Sequence, residues 1–162
     1  MKYLMTLSTA FLVLVLATPS LLAQGAGIEW DILNQEAMDL YTAADYDRAI
    51  VVAKKALEVA EENVGPNHPD VATSLNNLAL LYDTQGKYAQ AEPLYKRSLA
   101  IKEKALGPNH PSVASSLENI AALYRATSRI PEAEKYETRA SRIRGSEKVS
   151  GGSEKEEDKV SG

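Results

Sequence analysis

Between residues 69 and 106 the apolar positions keep a helical step. Val71, Leu75, Leu78 and Tyr82 are spaced by four, three and four residues, which places them on one helix face. Thr84-Gln85-Gly86 closes that run, since glycine just past the last apolar turn is a helix C-terminal signal. A second run, Tyr88, Ala91, Tyr95, Ser98 and Leu99, again shares one face and ends before Gly107. Lys102 and Lys104 in its last turn suit the negative end of the helix dipole, as Asp70 suits the positive end of the first helix. Pro93 falls inside the second helix and removes one backbone bond, so a local kink is expected there. Pro111 and Pro131 fall at helix starts, where a missing N–H costs little.

The pattern then repeats. Sliding 65–106 onto 107–148 gives 17 identities in 42 positions, where unrelated segments of ordinary composition would give about two or three. The loops Gly65-Pro66-Asn67-His68-Pro69 and Gly107-Pro108-Asn109-His110-Pro111 match completely. So do Val71/Val113, Leu75/Leu117, Asn77/Asn119, Ala79/Ala121, Tyr82/Tyr124, Ala91/Ala133 and Arg97/Arg139. The same frame run backward pairs Leu33 with Leu75, Ala37 with Ala79, Tyr46 with Tyr88, Ala49 with Ala91 and Leu57 with Leu99. Glu36 interrupts the stripe where Leu78 and Ile120 stand, and Trp30 is expected to cover the N-terminal end of the stack. A fixed period in this range predicts a stacked array. The expected fold is all-α, a right-handed solenoid of about three antiparallel helix pairs spanning 28–65, 69–107 and 111–144.

Leu75…Leu78-Ala79…Tyr82…Gly86…Tyr88…Ala91…Tyr95…Ser98-Leu99 resembles a tetratricopeptide repeat. The usual unit has about 34 residues. The longer unit here, with His-Pro at the junction, is similar to the kinesin-light-chain type. Asn76-Asn77-Leu78-Ala79-Leu80-Leu81-Tyr82 followed by Ala91-Glu92-Pro93-Leu94-Tyr95-Lys96-Arg97 carries that likeness most closely. The resemblance covers about 28–144, is specific for fold, and implies a scaffold that binds other proteins. In such arrays the first helix of each pair lines the inner face. Helical spacing then names a groove: Asn34, Gln35, Met38 and Tyr41; Thr73, Asn76, Asn77, Leu80, Asp83 and Thr84; Ser115, Glu118, Asn119, Ala122 and Arg125. The resemblance implies that inner-helix asparagines hold extended peptides, through an amide that both donates and accepts. Asn77 and Asn119 either do this or bond their own neighbouring helices. Met38, Tyr41 and Leu80 would add apolar contact. Paired lysines and arginines that would clamp a terminal carboxylate are absent from this set.

The ends have their own composition. Met1-Lys2 precedes an apolar run from Tyr3 to Ala17, and Leu21-Leu22-Ala23 leads to Gln24. Residues 1–23 therefore read as a secretory signal peptide cleaved after Ala23, with an exported, periplasmic or secreted product. The rival is an uncleaved membrane anchor, because no charge occurs from Tyr3 to Ile28. Pro19 and Gln24-Gly25-Ala26-Gly27 argue against one continuous helix there. From Gly145 to Gly162 a partial duplication rich in Ser, Gly, Glu and Lys reads as a disordered charged tail. At the third pair, Glu137 and Ser141 replace Tyr95 and Leu99, so they are expected to be exposed and to close the array without a separate solvating helix.

Charge and chemistry narrow the function. Formal net charge is −4 with both signs mixed along the chain, which points away from nucleic acid. No cysteine is present, so disulfides, thiolate metal sites, thiol nucleophiles and lipoprotein attachment are excluded. His68 and His110 read as helix-start residues whose rings bond the backbone, and no nucleophile–base spacing or Gly-rich phosphate motif stands out. The expected protein is a non-enzymatic adaptor for a protein or extended peptide, with no cofactor, no metal, no nucleic acid and no membrane contact in the mature form. The alternatives are a structural, oligomerising part of an envelope assembly or a regulatory subunit of an enzyme.

Overall fold

The computed structural model describes residues 19–153, with side chains from 27 to 145. Along them run α1 (Pro19–Thr42), α2 (Tyr46–Val64), α3 (Pro69–Thr84), α4 (Tyr88–Leu106), α5 (Pro111–Ala126) and α6 (Ile130–Ser153). Helices pack as α1 with α2, α3 with α4 and α5 with α6, and the pairs join through α2–α3 and α4–α5. This is the expected helical repeat solenoid. Small residues sit where helices approach closely: Ala37, Ala49, Ala79, Ala91, Ala121 and Ala133 are fully or almost fully buried. Around them Leu75, Leu81, Tyr95, Leu117, Ile120 and Leu123 fill the core.

The turns within pairs share one geometry. Ala44, Gly86 and Ser128 stand 42 residues apart and all take a left-handed φ, of 59°, 70° and 59°. In each, the next amide donates back across the helix end: Asp45 to Leu40, Lys87 to Tyr82 and Arg129 to Tyr124, at 2.8–2.9 Å. This is the Schellman closure. Only the middle copy uses glycine, so the alanine and serine copies bear a strain that L-residues resist. The turns between pairs are stricter. Gly65 and Gly107 hold φ of 83° and 91° with ψ of 160° and 154°, a region open essentially to glycine alone. A Cβ there would meet nothing within 4 Å, so the constraint is conformational rather than one of space. His68 and His110 then cap the next helices, each ring Nδ1 accepting from the amide two residues on, at 3.3 and 3.1 Å. That is the backbone role expected for both.

An arginine staple fixes how successive pairs stack. Arg97 donates to the Pro66 carbonyl at 3.2 Å and pairs with Glu61 at 2.7 Å. Arg139 does the same one repeat later with Pro108 and Glu103. Exposed pairs of this kind contribute under about 1 kcal/mol each; their use here is to hold register. Lys102 does not stay at its helix end. It is half-buried and donates to Ser116 Oγ at 2.9 Å, across to the next pair, and burial pulls its pKa down. Inside α4, Pro93 is accommodated without interrupting the helix.

Two expectations about helix limits are corrected. From Pro19 onward α1 runs without a break through Gln24-Gly25-Ala26-Gly27. Each glycine inside a helix costs only about 1 kcal/mol relative to alanine. At the other end α6 passes Gly145 and reaches Ser153, so helix continues into the segment expected to be a disordered tail. Residues 154–162 of that segment, and residues 1–18 of the expected signal peptide, lie outside the described residues. No helix among the described residues is long and apolar enough to cross a membrane.

The outer faces of the first and third pairs carry exposed polar residues, in the first pair beside the exposed Ile28 and Ile32. Glu29, Glu36 and Asp39 are exposed, whereas their counterparts Val71/Val113, Leu78/Ile120 and Leu81/Leu123 are buried. Trp30 lies beside them, half-buried, its Nε1 donating to Ser74 Oγ at 2.7 Å. In the third pair Ser141 is exposed as expected. Glu137 is only half-exposed, because Arg125 holds it at 2.5 Å.

The two turn types predict opposite responses. Ser128→Gly should raise stability by about 0.5–1 kcal/mol through relief of left-handed strain. Gly107→Ala should lower it by about 1–3 kcal/mol. Urea unfolding of both variants checks the pair.

Candidate functional site

The inner helices α1, α3 and α5 present one face built from three repeated columns. Met38, Leu80 and Ala122 form the apolar column; the first two are half-buried and Ala122 is exposed. Tyr41, Asp83 and Arg125 form a second column, one turn further along each helix. Thr73 and Ser115 occupy a third, both exposed and both donating to the carbonyl of the proline that opens their helix. Thr84 is exposed and bonds the Leu80 carbonyl at 2.8 Å. Gln35 is exposed and donates to Asp39 at 2.8 Å.

The asparagines are committed to one another. Asn77 Nδ2 donates to Asn34 Oδ1 at 3.1 Å, and Asn119 Nδ2 donates to Asn76 Oδ1 at 3.0 Å. Asn34 in turn donates to the Trp30 carbonyl. Each bond crosses from one inner helix to the preceding one, so the recurring asparagines tie repeats together. Of the two roles open to them, the structure shows the bond to a neighbouring helix. An amide with one N–H and its partner's oxygen engaged keeps further bonding capacity at the surface, but its orientation is set by the stack. The offset is 43 residues in both cases. A search for identical positions 42 apart therefore finds the donors and misses that their acceptors sit one column over.

Charge divides the face. In the third repeat it is internally matched: Arg125 pairs with Glu137, and Arg144 donates to Glu118 at 2.9 and 3.0 Å and to Ser115 at 3.1 Å. The Arg144 bonds hold the Glu118 carboxyl below its ordinary value, and Arg125 does the same for Glu137. In the second repeat an acid, Asp83, stands at the Arg125 position, and its side-chain partner among the described residues is the Tyr95 hydroxyl, at 3.5 Å. Burial pushes the Asp83 carboxyl up, against the opposing pull of that hydroxyl. Tyr95 is itself pushed up, first by burial and then by Asp83.

A separate knot joins the second and third pairs away from this face. Glu92 accepts from Lys96 at 2.6 Å, from the Tyr124 hydroxyl at 2.9 Å and from Arg129 at 2.9 Å. Arg129 also lies over the Tyr124 ring at 4.0 Å, a stabilising cation–π contact. The bond from Lys96 leads the causes that lower the Glu92 pKa. Glu92 and Tyr124 recur in the 42-residue frame, opposite Glu134 and Tyr82, but Lys96 and Arg129 stand opposite Thr138 and Lys87, so the frame alone does not show the cluster. Elsewhere, a cavity of about 60 Å³ beside Trp30, lined by Gly27, Val59, Ala60, Asn63, Val64 and Asp70, has room for water only. Among the described residues no group of His, Asp or Glu is placed to hold a metal ion.

The family model of the tetratricopeptide repeat matches residues 31–104 and 85–146. The crystal structure of BtubC (BKLC) from P. vanneervenii superposes with a TM-score of 0.69 at 28% identity, covering 78% of this chain and 52% of that one. A putative kinesin light chain from Podosopora anserina, with nearly identical TPR-like repeats, gives 0.65 at 22% identity, covering 71% and 55%. The TPR domain of Arabidopsis FLU gives 0.64 at 20% identity, covering 74% and 98%. The chain thus spans about half the length of the first two. No curated protein matches.

Two substitutions test the assigned bonds. Asn119→Asp should destabilise the fold by about 1 kcal/mol or more, because it sets two acceptors against each other at Asn76. Equilibrium unfolding of Asn119→Asp beside Asn119→Ala measures this. The Glu92 knot has a defined pH sign. Its folded pKa lies below the unfolded value of 4.5, so its contribution is present above about pH 4.5 and is lost as pH falls through the folded value. Glu92→Gln should flatten that part of the stability–pH curve.

Proposed function

The chain belongs to the tetratricopeptide repeat family, and on that premise we propose that it is a non-enzymatic adaptor that binds a protein or extended peptide along its inner face. Repeats of this family generally mediate protein–protein interaction, and its members are typically scaffolds. The observation that carries the reading here is the column Met38–Leu80–Ala122, which remains accessible along the inner helices although the stack around it is closed. A bound segment crossing the three helices would meet that column in succession, with Tyr41, Asp83 and Thr84 beside it. In this reading Asn76, Asn77 and Asn119 shape the floor and contribute to binding mainly through it.

The reading includes export. Its support is the sequence of residues 1–23: a basic start, an apolar run and Ala23 before Gln24. Assembly through the array ends has one observation on its side, the exposure of Ile28 and Ile32 at 61% and 59%. Glu29, Glu36 and Asp39 lie on the same helix and oppose it, since two such faces would bring like charges together.

Three measurements follow. N-terminal sequencing of the protein from its native host should begin at or near Gln24; a full-length chain recovered soluble from the cytoplasm would remove export from the account. Light scattering of residues 24–162 should give a monomer, and a stable oligomer would favour the assembly reading. Leu80→Glu should abolish peptide capture with helicity unchanged, whereas capture that survives it would place binding elsewhere.

A further inference from the structure

Asp83 stands out on the inner face by comparison with its own repeat. The position 42 residues on is Arg125, and the position across from it on the second helix changes from Tyr95 to Glu137. The third repeat therefore holds a carboxylate and a guanidinium in contact at 2.5 and 2.7 Å. The second repeat holds, at the same place, a carboxylate and a phenol at 3.5 Å. The site that receives a cation from within the chain in one repeat lacks one in the other.

The surroundings of Asp83 favour a cation over a water-exposed carboxylate. The side chain is half-buried, and the Tyr95 ring beneath it is 1% exposed. Tyr41, on the neighbouring inner helix, lies close enough to act electrostatically on Tyr95, and its ring packs on Tyr46 at 5.7 Å. Tyr95, being buried, supports Asp83 through its hydroxyl, whereas the half-buried Tyr41 can offer a ring face to a guanidinium or ammonium. Leu80 is three residues before Asp83, so it shares the face and offers an apolar neighbour. The ion pairs present among the described residues assign no Lys or Arg to Asp83.

Resting on the adaptor reading, we infer that Asp83, with Tyr41 and Tyr95, is a specificity subsite that takes a lysine or arginine of the bound segment, with an apolar residue of that segment on Leu80 and Met38. Charge sets the choice: the inner face offers an unneutralised acid in its second repeat, while the acids and bases of the third already satisfy each other. Acidic segments are disfavoured at this subsite. Bringing a cation there relieves the desolvated carboxylate, as Arg125 and Glu137 relieve each other one repeat on.

The test is selection of a random dodecapeptide phage library on residues 24–162, repeated on Asp83→Asn and Asp83→Lys. The wild type should enrich peptides with Lys or Arg at one fixed distance from an apolar residue. Asp83→Asn should lose that enrichment, and a selected peptide should bind it at least tenfold more weakly. Asp83→Lys should reject the same peptides. Circular dichroism on each variant separates loss of the subsite from loss of the fold, and Tyr95→Phe, which keeps the packing, should retain basic selection. Enriched peptides with no basic preference, or a preference unchanged in Asp83→Asn, would overturn the subsite and leave peptide binding standing. Recovery of no peptide at all would overturn the adaptor reading and this inference together.

Discussion

Each helix pair of this protein has two faces that it cannot bury by itself, and stacking is what buries them. Val71, Leu75, Leu78 and Leu81 of α3 are closed off from water within the stack, as are Val113, Leu117, Ile120 and Leu123 of α5. A buried aliphatic side chain contributes about 1.5–3 kcal/mol, so these columns carry the array. The remaining features serve that stacking. Gly65 and Gly107 permit the reversal between pairs, Arg97 and Arg139 lock the register, and paired asparagines tie the inner helices.

Stacking also determines what is left for function. Because α2, α4 and α6 bury their small residues against the inner helices, the inner helices keep one face free. Its chemistry then varies by column rather than by helix. One column is apolar, one carries the hydroxyls of Thr73 and Ser115, and one runs from Tyr41 through Asp83 to Arg125, while the asparagines among them are engaged in the stack. Function is written in the positions where repeats differ, since those where they agree are mostly spent on packing.

Much of the fold was legible in the sequence for this reason. A 42-residue identity frame locates the helices, the loops and the alanines at close contacts, because stacking imposes the same demands on every pair. Glu36, standing where Leu78 and Ile120 do, likewise showed that the apolar stripe is interrupted in the first pair. What could not be read lay outside the frame. The asparagine bonds connect positions 43 apart, so identity alone does not show which residue accepts. Gly145 and the glycines at 25 and 27 look like breaks, yet a helix tolerates glycine at modest cost. Glu137 was expected in open solvent, but its partner Arg125 is visible only when α5 and α6 are placed side by side.

The claim most in need of a direct measurement is that binding occurs along the inner helices. Amide chemical shifts of ¹⁵N-labelled residues 24–162, titrated with a library-selected dodecapeptide, would locate the contact. The account predicts changes centred on Met38, Leu80, Asp83 and Ala122, with the loops at 65–69 and 107–111 unaffected. Changes confined to the outer surface of α6, around Pro131 to Arg142, would contradict it.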